Sequence, residues 1–371
     1  MKNYYRILAL MFFFVACTSD VDDKNNKRSF LMGFTPWPYD ATVEAVEWTY
    51  DAINENGDII SHHMEEGVPW PEAYAGESFA DEFQTEINSR VERYQADKKV
   101  LLSVSPLNMG RDAMALYRGS SESMALPSPW DSYDLNSNEV KTAYTNYTER
   151  MVELFNPDYL VIGIEVNLLI RNSPDLWEPY IELHNYVYTE IKKKYPDLPT
   201  GVSVFCVTYF PDWSPEDNLN KQIAGLKQLE ASSDFIAFSV HPFMSALTAE
   251  NFPDDYLEKL FEMTIRPVAV SESSYPAQYW QTMTTPVIDF NGTPEKQEEF
   301  LASLLDESNV FESMFVIWFS IHDYDALWEG ALNKDPIGIV WRDTGLFDES
   351  GKKREALDLW KKWLSRDYIV K

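Results

Sequence analysis

The sequence predicts an α/β protein whose main part is a single (β/α)8 barrel, the TIM-barrel fold. Two observations support this prediction. From residue 29 onward, apolar runs typical of strands alternate eight times with stretches of helical periodicity. Successive strands that are joined by helices pair in parallel, and eight such units can close into a barrel. We see no sequence repeat and no second domain in this part of the chain.

The elements follow one another in a regular order. The predicted strands are Phe30–Trp37, Asp58–Met64, Lys99–Leu107, Tyr159–Asn167, Gly201–Phe210, Asp234–Phe243, Arg266–Ser273 and Met314–His322. The predicted helices are Ala41–Asn56, Ala80–Asp97, Glu139–Phe155, Asp175–Tyr195, Leu219–Ala231, Asp254–Met263, Glu295–Asp306 and Lys352–Ser365. Ser173-Pro174 and Thr293-Pro294 are typical capping signals before two of these helices.

The alternation of side chains along each strand predicts which residues point into the barrel. On the fourth strand Glu165 falls on the inner face and Ile164 on the face toward the helices. On the sixth strand Ser239 and His241 are inward, and on the eighth strand Trp318 is inward. The inner faces become polar only toward the carboxyl ends of the strands, where barrels of this kind carry their catalytic groups.

The first residues indicate export. Lys2 and Arg6 form a short positive region, and Ile7–Ala16 is an apolar run. A helix needs about 20 residues to span a bilayer core, so this run predicts a signal peptide and not a membrane helix. We assign residues 1–16 to a signal peptide, the polar residues 17–28 to a flexible tether and residues 29–371 to the barrel.

The apolar run ends in Phe14-Val15-Ala16-Cys17, which resembles the lipobox of bacterial lipoproteins. The resemblance implies cleavage before Cys17 and acylation of that residue, and hence an exported protein anchored to a bacterial membrane, at the outer membrane or the cell surface. The alternative is an ordinary signal peptide followed by a chance cysteine. A lipidated Cys17 leaves Cys206 without a disulfide partner, and its apolar surroundings predict an inert core thiol.

The charge balance limits the partners of the protein. A formal net charge of −29 lacks the basic footprint of a nucleic-acid binder and repels polyanionic substrates. Aromatic residues make up 15% of the chain, and rings in barrel loops suit stacking on sugar faces, although most single rings belong to the core. No glycine-rich phosphate loop is present. We expect a monomer that binds neutral carbohydrate, without a cofactor and without nucleic acid.

Two glutamates stand out at the ends of predicted strands. Glu165 ends the fourth strand and Glu272 the seventh, each on the inner face after apolar residues. A charged group at such a position is costly to desolvate without a partner or a purpose. Glycosidic cleavage is one such purpose, because one carboxyl group protonates the leaving oxygen while the other attacks the anomeric carbon or activates water. The alternative is a buried ion pair with an arginine.

Several segments resemble the retaining barrel glycosidases of clan A, which include cellulases, mannanases and galactanases. These segments are Val161–Asn167, Ser239–Phe243, Val270–Pro276, Ile317–Phe319 and Gly345–Leu357. The resemblance implies that Glu165 is the acid/base, that Glu272 is the nucleophile and that Trp318 floors the sugar site. It also implies that Glu272 is ionised, and we expect hydrogen-bond donors to hold it in that state.

Two positions depart from the family pattern. The family usually has Asn directly before the acid/base, where it bonds the substrate 2-hydroxyl; here that residue is Ile164, and Asn167 is the candidate to replace it. The sixth strand of the family often ends in His-x-Tyr, with the tyrosine touching the nucleophile. Phe243 takes that place here, and Tyr275 or Tyr209 is the candidate to supply the hydroxyl.

The remaining candidates lie at or near predicted strand ends. The substrate-binding residues that we predict are Trp37, His63, Asn167, Tyr209, His241, Tyr275, Trp318 and His322. A metal site is the alternative use of His63, His241 and Asp323, and it resembles the amidohydrolase barrels. Those usually carry His-x-His on the first strand, which has no histidine here. We expect the histidines to bond substrate and no metal to be required.

These features together predict a retaining glycoside hydrolase that cleaves β-glycosidic bonds of a neutral poly- or oligosaccharide by a two-glutamate double displacement. The long segments 108–136 and 275–290 carry aromatic residues and suit the walls of an open cleft, which favours endo action. Two alternatives stay open. One is a lipid-anchored glycan-binding barrel without activity, and the other is a metal-dependent barrel hydrolase.

Overall fold

The chain folds into a closed barrel of eight parallel strands with helices around it, in a computed structural model that describes residues 26–214, 216–245, 253–282, 287 and 289–369. The predicted barrel fold is therefore confirmed. Cys17, the apolar run before it and most of the predicted tether lie outside the described residues. In the described part of the chain, no helix has the length and apolar character required to span a bilayer.

The barrel strands β1–β8 are Leu31–Phe34, Ile59–Met64, Lys99–Val104, Tyr159–Val161, Thr200–Phe205, Ile236–Val240, Val268–Ser273 and Phe315–Trp318. The crossover helices α1–α8 are Val43–Asn56, Asp81–Val91, Asn138–Phe155, Trp177–Lys194, Leu219–Glu230, Tyr256–Phe261, Pro294–Val310 and Glu355–Leu364. Shorter α-helices lie in the connections at Trp70–Ala75, Leu169–Asn172, Asp325–Glu329 and Ile339–Arg342. Single 3-10 turns occur at Trp130–Ser132, Val166–Leu168, Pro174–Leu176, Cys206–Tyr209 and Pro242–Met244.

The helix starts follow the capping chemistry of the chain. Thr293 caps α7 as the sequence predicts, because its Oγ1 accepts the Lys296 N–H at 3.3 Å. Thr42 caps α1 in the same way through the Ala45 N–H, so that α1 begins after Thr42. Ser173 makes no side-chain cap bond, and the chain forms the short turn Pro174–Leu176 before α4 begins.

The barrel closes where β8 pairs in parallel with β1. Phe315 lies opposite Leu31 and Trp318 opposite Phe34 in this register. All eight strands run in the same direction, so their carboxyl ends open at one mouth. The loops that follow the strands surround this mouth, as in other barrels of this type.

Two apolar clusters fill the molecule. The smaller cluster occupies the barrel interior and consists of Leu31, Ile59, Leu101, Val161, Ile164, Phe235, Ala237, Ala269, Phe315 and Ile317. The larger cluster packs the outer faces of the strands against the helices.

The predicted facing of β6 is correct, since Phe235 and Ala237 lie inside. The predicted facing of β8 is wrong, since Phe315 and Ile317 lie inside and Trp318 faces the helices. Both faces of β8 are apolar, and a strand buried on both faces does not reveal its orientation by polarity.

The chain leaves strand geometry early on β4. The Gly163 carbonyl still accepts the Ser203 N–H at 2.9 Å, but a Cβ added at Gly163 would lie 2.4 Å from the Tyr180 hydroxyl on α4. Ile164 then turns into the barrel interior, contrary to the predicted alternation. Glu165 follows with a left-handed φ of 48°. A glutamate after this irregular turn reaches the mouth although the strand itself has ended.

The two described ends of the chain meet on the side of the barrel opposite the mouth. Lys27–Arg28 pairs in parallel with Asp367–Tyr368. Arg28 Nη1 lies 2.7 Å from Asp58 Oδ2, directly before β2 begins. Because Arg28 has this carboxylate partner, the folded body starts slightly earlier than the predicted boundary at residue 29.

Candidate active site

Glu165 reaches the mouth from the turn after β4. Its backbone N–H donates to Ser203 Oγ at 2.9 Å, and its carboxylate Oε1 accepts the Ser239 hydroxyl of β6 at 2.7 Å. The side chain is 18% exposed, which leaves one edge of the carboxylate open. Glu165 therefore points inward as predicted, but the turn, not strand alternation, is what directs it there.

Glu272 lies on β7, where the register pairs it with Ser239 of β6. The serine that bonds Glu165 is thus the cross-strand neighbour of Glu272. The Glu272 side chain is also 18% exposed. The structure consequently brings the two predicted carboxylates to the same part of the mouth, even though 106 residues separate them in the chain.

Two basic side chains face this pair. Arg111, in the loop after β3, has its Nη2 3.5 Å from Glu165 Oε2 and 2.5 Å from Glu65 Oε2. His63, on β2, has its Nδ1 3.9 Å from Glu272 Oε1 and its Nε2 3.2 Å from Glu65 Oε1. An arginine therefore does lie beside Glu165, but its closer partner is Glu65.

Burial raises the pKa of Glu272 to about 7. The positive charge of His63 opposes this increase, whereas the charges of Glu165 and Glu65 add to it. The expectation that hydrogen-bond donors keep Glu272 ionised is wrong for the free protein, because its polar contact in the described structure is the longer one with His63. In the free protein, burial and the two neighbouring carboxylates therefore favour the protonated form of Glu272.

The neighbouring groups carry fixed charges. Burial disfavours the imidazolium of His63, yet Glu272 and Glu65 raise the pKa of His63 to about 9. Burial also opposes the charge of Glu65, but Arg111 and His63 hold the pKa of that carboxyl well below its usual range. At neutral pH the mouth thus contains a charged His63, Glu65 and Arg111 beside Glu272, whose pKa is raised toward neutrality.

Aromatic rings line the mouth near the end of β8. Trp37 and Phe319 are both half-buried, and their ring centroids lie 5.7 Å apart. The Phe319 N–H donates to the Ser273 carbonyl at the end of β7, which fixes the ring beside that strand end. Trp37 Nε1 has no hydrogen-bond partner among the described residues. These features suit stacking against a sugar ring and donation to one of its hydroxyl groups.

The role predicted for Trp318 is wrong. Its side chain is fully buried on the helix side, where its ring lies 5.9 Å from that of Phe300 on α7. Its Nε1 donates to the Thr344 carbonyl at 2.9 Å. The adjacent residue Phe319 occupies the position that was expected for Trp318, because β8 has the opposite facing from the predicted one.

Asn167 also has a different role from the predicted one. Its side chain is fully buried, and its Oδ1 accepts the Phe205 N–H at 2.7 Å. Its Nδ2 donates to Thr208 Oγ1 at 2.7 Å and to Gln222 Oε1 at 3.2 Å. These bonds join the turn after β4 to the end of β5 and to α5. The amide is used entirely within the protein, so the predicted contact with substrate is wrong.

The two tyrosines proposed to supply a hydroxyl are core residues. Tyr209, in the turn after β5, is 1% exposed, and its hydroxyl has no partner among the described residues. Tyr275 is also buried, with its ring 5.4 Å from Phe300 of α7 and 6.1 Å from Phe243. Burial against apolar neighbours keeps both rings from a ligand, so the predicted binding roles are wrong.

His241 remains near the candidate site. It follows β6, and its Nδ1 lies 2.7 Å from Ser274 Oγ. Burial lowers the pKa of His241 to about 3, and the charge of His63 acts in the same direction, so that the imidazole is neutral. Its ring lies edge-on to the half-buried Trp341 at 6.2 Å.

His322 lies farther along the rim, in an aromatic cluster. Its ring centroid is 4.6 Å from that of Tyr39 and 5.0 Å from that of Trp48. Its Nδ1 contacts the Asp323 carbonyl, and burial lowers its pKa. The ring and charge contacts of His322 are with this cluster and with Asp323, and not with Glu165 or Glu272.

The metal constellation considered from the sequence does not come together. Among the described residues, the one group with ligand atoms within reach of a single ion is Asp323, Asp325 and Glu349. His63 and His241 are not part of it. Asp323 is held by the guanidinium of Arg354, with Nη1 2.8 Å from its Oδ1.

Sequence reasoning missed four residues that shape the candidate site: Glu65, Arg111, Ser239 and Phe319. Glu65 comes two positions after His63, directly after the predicted second strand, but this spacing alone does not place it beside Arg111 or the carboxyl pair. Arg111 is in the long loop after β3, and nothing local in the sequence indicates that this loop folds back over the mouth. Strand alternation placed Ser239 inward, but not against a particular carboxylate.

No protein-family model matches the chain, and no curated protein matches its sequence. Solved structures of clan A glycoside hydrolases match its fold. The GH53 catalytic domain from Ignisphaera aggregans aligns with 92% of this chain and 97% of its own, at 15% identity and a TM-score of 0.56. GH10 from Paenibacillus barcinonensis aligns with 94% of this chain and 98% of its own, at 11% identity and a TM-score of 0.58. GH5_18 from Bifidobacterium longum aligns with 90% of this chain and 78% of its own, at 15% identity and a TM-score of 0.60. At these identities the similarity establishes the fold.

Proposed function

We propose that the protein is a retaining glycoside hydrolase that acts on a β-linked, largely neutral poly- or oligosaccharide. The observation that carries the proposal is the position of Glu165 and Glu272, which both lie beside Ser239 in the barrel mouth. Paired carboxyl groups of this kind are the machinery of glycosidic cleavage. The proposal includes anchoring of the exported protein to a bacterial membrane through Cys17.

In this mechanism the ionised Glu272 attacks the anomeric carbon while Glu165 gives its proton to the leaving oxygen. The glycosidic bond breaks and a glycosyl–Glu272 ester forms. Glu165 then takes a proton from water, and that water displaces Glu272 with net retention. The reactive form is the one in which Glu272 is ionised and Glu165 carries a proton. A retaining pair requires carboxyl groups about 5–5.5 Å apart.

The surroundings support a neutral, β-linked substrate. The net charge of −29 repels polyanions, and the half-buried rings of Trp37 and Phe319 offer a stacking surface. Similar folds belong to fungal beta-1,4-galactanases and to an exo-beta-1,4-mannosidase from an Opitutaceae bacterium. We therefore propose β-1,4-linked galactan and mannan as the first polymers to test.

The test compares wild type with Glu272→Ala and Glu165→Ala on oligosaccharides and on aryl glycosides. We expect Glu272→Ala to abolish turnover, with azide restoring a product of inverted configuration. Glu165→Ala should retain turnover of aryl glycosides with good leaving groups, because these need no proton. Glu122→Ala, at an exposed loop position, serves as the matched control. Full activity of Glu272→Ala would contradict the proposal.

One observation favours the glycan-binding alternative, since Arg111 lies 3.5 Å from Glu165. An arginine that neutralises this carboxylate in a buried site would suit a barrel that binds sugar without cleaving it. The same experiment separates the two functions. A pure binder would bind oligosaccharide with no product, and its affinity would survive Glu272→Ala.

A further inference from the structure

Glu65 lies directly after β2 and contacts two cations with its two oxygens. Its Oε2 lies 2.5 Å from Arg111 Nη2, and its Oε1 lies 3.2 Å from His63 Nε2. The contacts are shielded from solvent, with side-chain exposures of 18% for Glu65, 12% for His63 and 4% for Arg111. Charge-assisted contacts in such surroundings are stronger than those on a surface.

Each of these two cations also faces one carboxyl group of the candidate pair. Arg111 Nη2 is 3.5 Å from Glu165 Oε2, and His63 Nδ1 is 3.9 Å from Glu272 Oε1. In both cases the contact with Glu65 is the shorter one. Glu65 is therefore the nearer partner of both cations, and each cation lies between Glu65 and one carboxyl group of the candidate pair.

We propose that Glu65 is a positioning residue that keeps Arg111 from forming a close ion pair with Glu165 and holds His63 against Glu272. Its effect on catalysis rests on the proposed function, whereas its hold on His63 does not. Glu65 itself need not touch the substrate.

The physical reason lies in the proton that Glu165 must donate. A buried guanidinium requires a carboxylate partner, and its loss is strongly unfavourable. Without the charge of Glu65, the nearest carboxylate for Arg111 is Glu165, at 3.5 Å. A close ion pair would hold Glu165 ionised and unable to act as an acid. Glu65 thus binds Arg111 in place of Glu165, and Glu165 remains able to carry the proton that it donates.

His63 responds to the same change. The charged groups that act on it are Glu272, Glu65 and Arg111, and its own charge acts on His241, which follows β6. Glu65 and Glu272 raise the pKa of His63 and Arg111 lowers it. Removing the charge of Glu65 therefore makes His63 lose its proton at a lower pH.

The experiment uses Glu65→Gln, with Glu66→Gln as a matched control. Glu66 Oε2 accepts the Glu65 N–H at 3.1 Å, a bond that the amide oxygen of Gln can keep, and its Oε1 lies 3.9 Å from Arg90. For Glu65→Gln we expect kcat/KM on an unactivated oligosaccharide to fall about 10- to 100-fold. The fall should be smaller on an aryl glycoside with a good leaving group, and the His63 titration followed by NMR should move to lower pH. Glu66→Gln should change neither.

A second variant tests the competition directly. Glu65→Gln combined with Arg111→Met removes the cation that would capture Glu165, and it also protects the test if the single variant does not fold. We expect the double variant to recover acid catalysis, so that oligosaccharide and aryl glycoside again differ as in wild type. Equal losses on both substrates with an unchanged His63 titration would overturn the proposal. If wild type cleaves no glycoside, the proposed function fails. The His63 titration in Glu65→Gln still shows whether Glu65 positions His63, because it requires no substrate.

Discussion

The charge of Glu272 is costly because its carboxyl group is buried and two other carboxylates, Glu165 and Glu65, act on it. Burial raises its pKa from an ordinary value of 4.5 to about 7, in spite of the nearby His63. A carboxyl whose pKa rises on folding binds a proton more tightly in the folded state. The protein therefore loses stability as the pH increases through the window from about 4.5 to 7.

We expect Glu272→Gln to be more stable than wild type at pH 8 and equally stable at pH 4. The gain at pH 8 should be on the order of 2 kcal/mol, because the shift corresponds to roughly 1.4 kcal/mol per pKa unit and the group is partly exposed. Urea unfolding at the two pH values measures it. Glu122→Gln, on the exposed loop, is the control and should be neutral at both. A gain of equal size at pH 4 would show that ionisation is not its cause.

Trp318 and Phe319 form a matched pair of adjacent aromatic residues with opposite facings. Trp318→Ala should lower the free energy of unfolding by about 3–5 kcal/mol, since it removes a fully buried ring from the packing against α7. Phe319→Ala removes a half-buried ring beside Trp37 and should raise KM roughly 3- to 10-fold with a smaller effect on stability. Urea unfolding and steady-state kinetics on both variants check these expectations. A large loss of stability in Phe319→Ala together with a raised KM in Trp318→Ala would instead support the facing predicted from the sequence.

At the scale of elements, the end of β4 shows why the alternation failed. The strand stops at Val161, and Glu165 adopts a left-handed backbone before the turn Val166–Leu168 begins. The amide of Asn167 holds this turn against β5 and α5. The location of a candidate catalytic side chain thus depends on a hydrogen-bonded turn that the strand pattern does not contain.

We expect Asn167→Ala to lower the free energy of unfolding by about 2–4 kcal/mol, because the buried Phe205 N–H and other polar partners lose their bonds. Activity should fall through misplacement of Glu165, with a larger effect on kcat than on KM. Denaturant unfolding and steady-state kinetics measure the two effects. Asn220→Ala, at an exposed position on α5, is the control. An increase in KM alone, with stability unchanged, would favour the substrate contact that the structure argues against.

At the scale of the whole molecule, the barrel has two distinct ends. The carboxyl ends of the strands carry Glu165 and Glu272, whereas Lys27–Arg28 pairs with Asp367–Tyr368 at the other end. A lipid on Cys17 would therefore be connected to the barrel on the side away from the mouth. We expect the mouth to face outward from the membrane, open to a polymer.

Membrane attachment through Cys17 is tested by Cys17→Ser, with Cys206→Ser as the matched control. The first variant should leave the membrane fraction or fail to be processed. Cys206 is a buried thiol whose pKa burial raises to about 12, so its replacement should leave fractionation unchanged. Released and anchored protein should hydrolyse a soluble polysaccharide with the same kcat/KM, because Lys27–Arg28, to which such an anchor would be joined, lies away from the mouth. Cys17→Ser protein that fractionates and is modified as wild type would contradict the lipoprotein prediction.

Local patterns in the sequence were sufficient to predict the barrel, its eight units and the two glutamates at strand ends. Apolar periodicity is a property of each segment, and carboxylates that end apolar strands are visible without any knowledge of neighbours. The facing of β8, the internal use of Asn167 and the burial of Tyr209 and Tyr275 were decided by the tertiary structure. So was the meeting of Glu65, His63 and Arg111 with the carboxyl pair, since these five residues come from four strand–loop units. Closure of the barrel sets the distances between such units, and the pKa values of buried groups depend on those distances and not on sequence spacing.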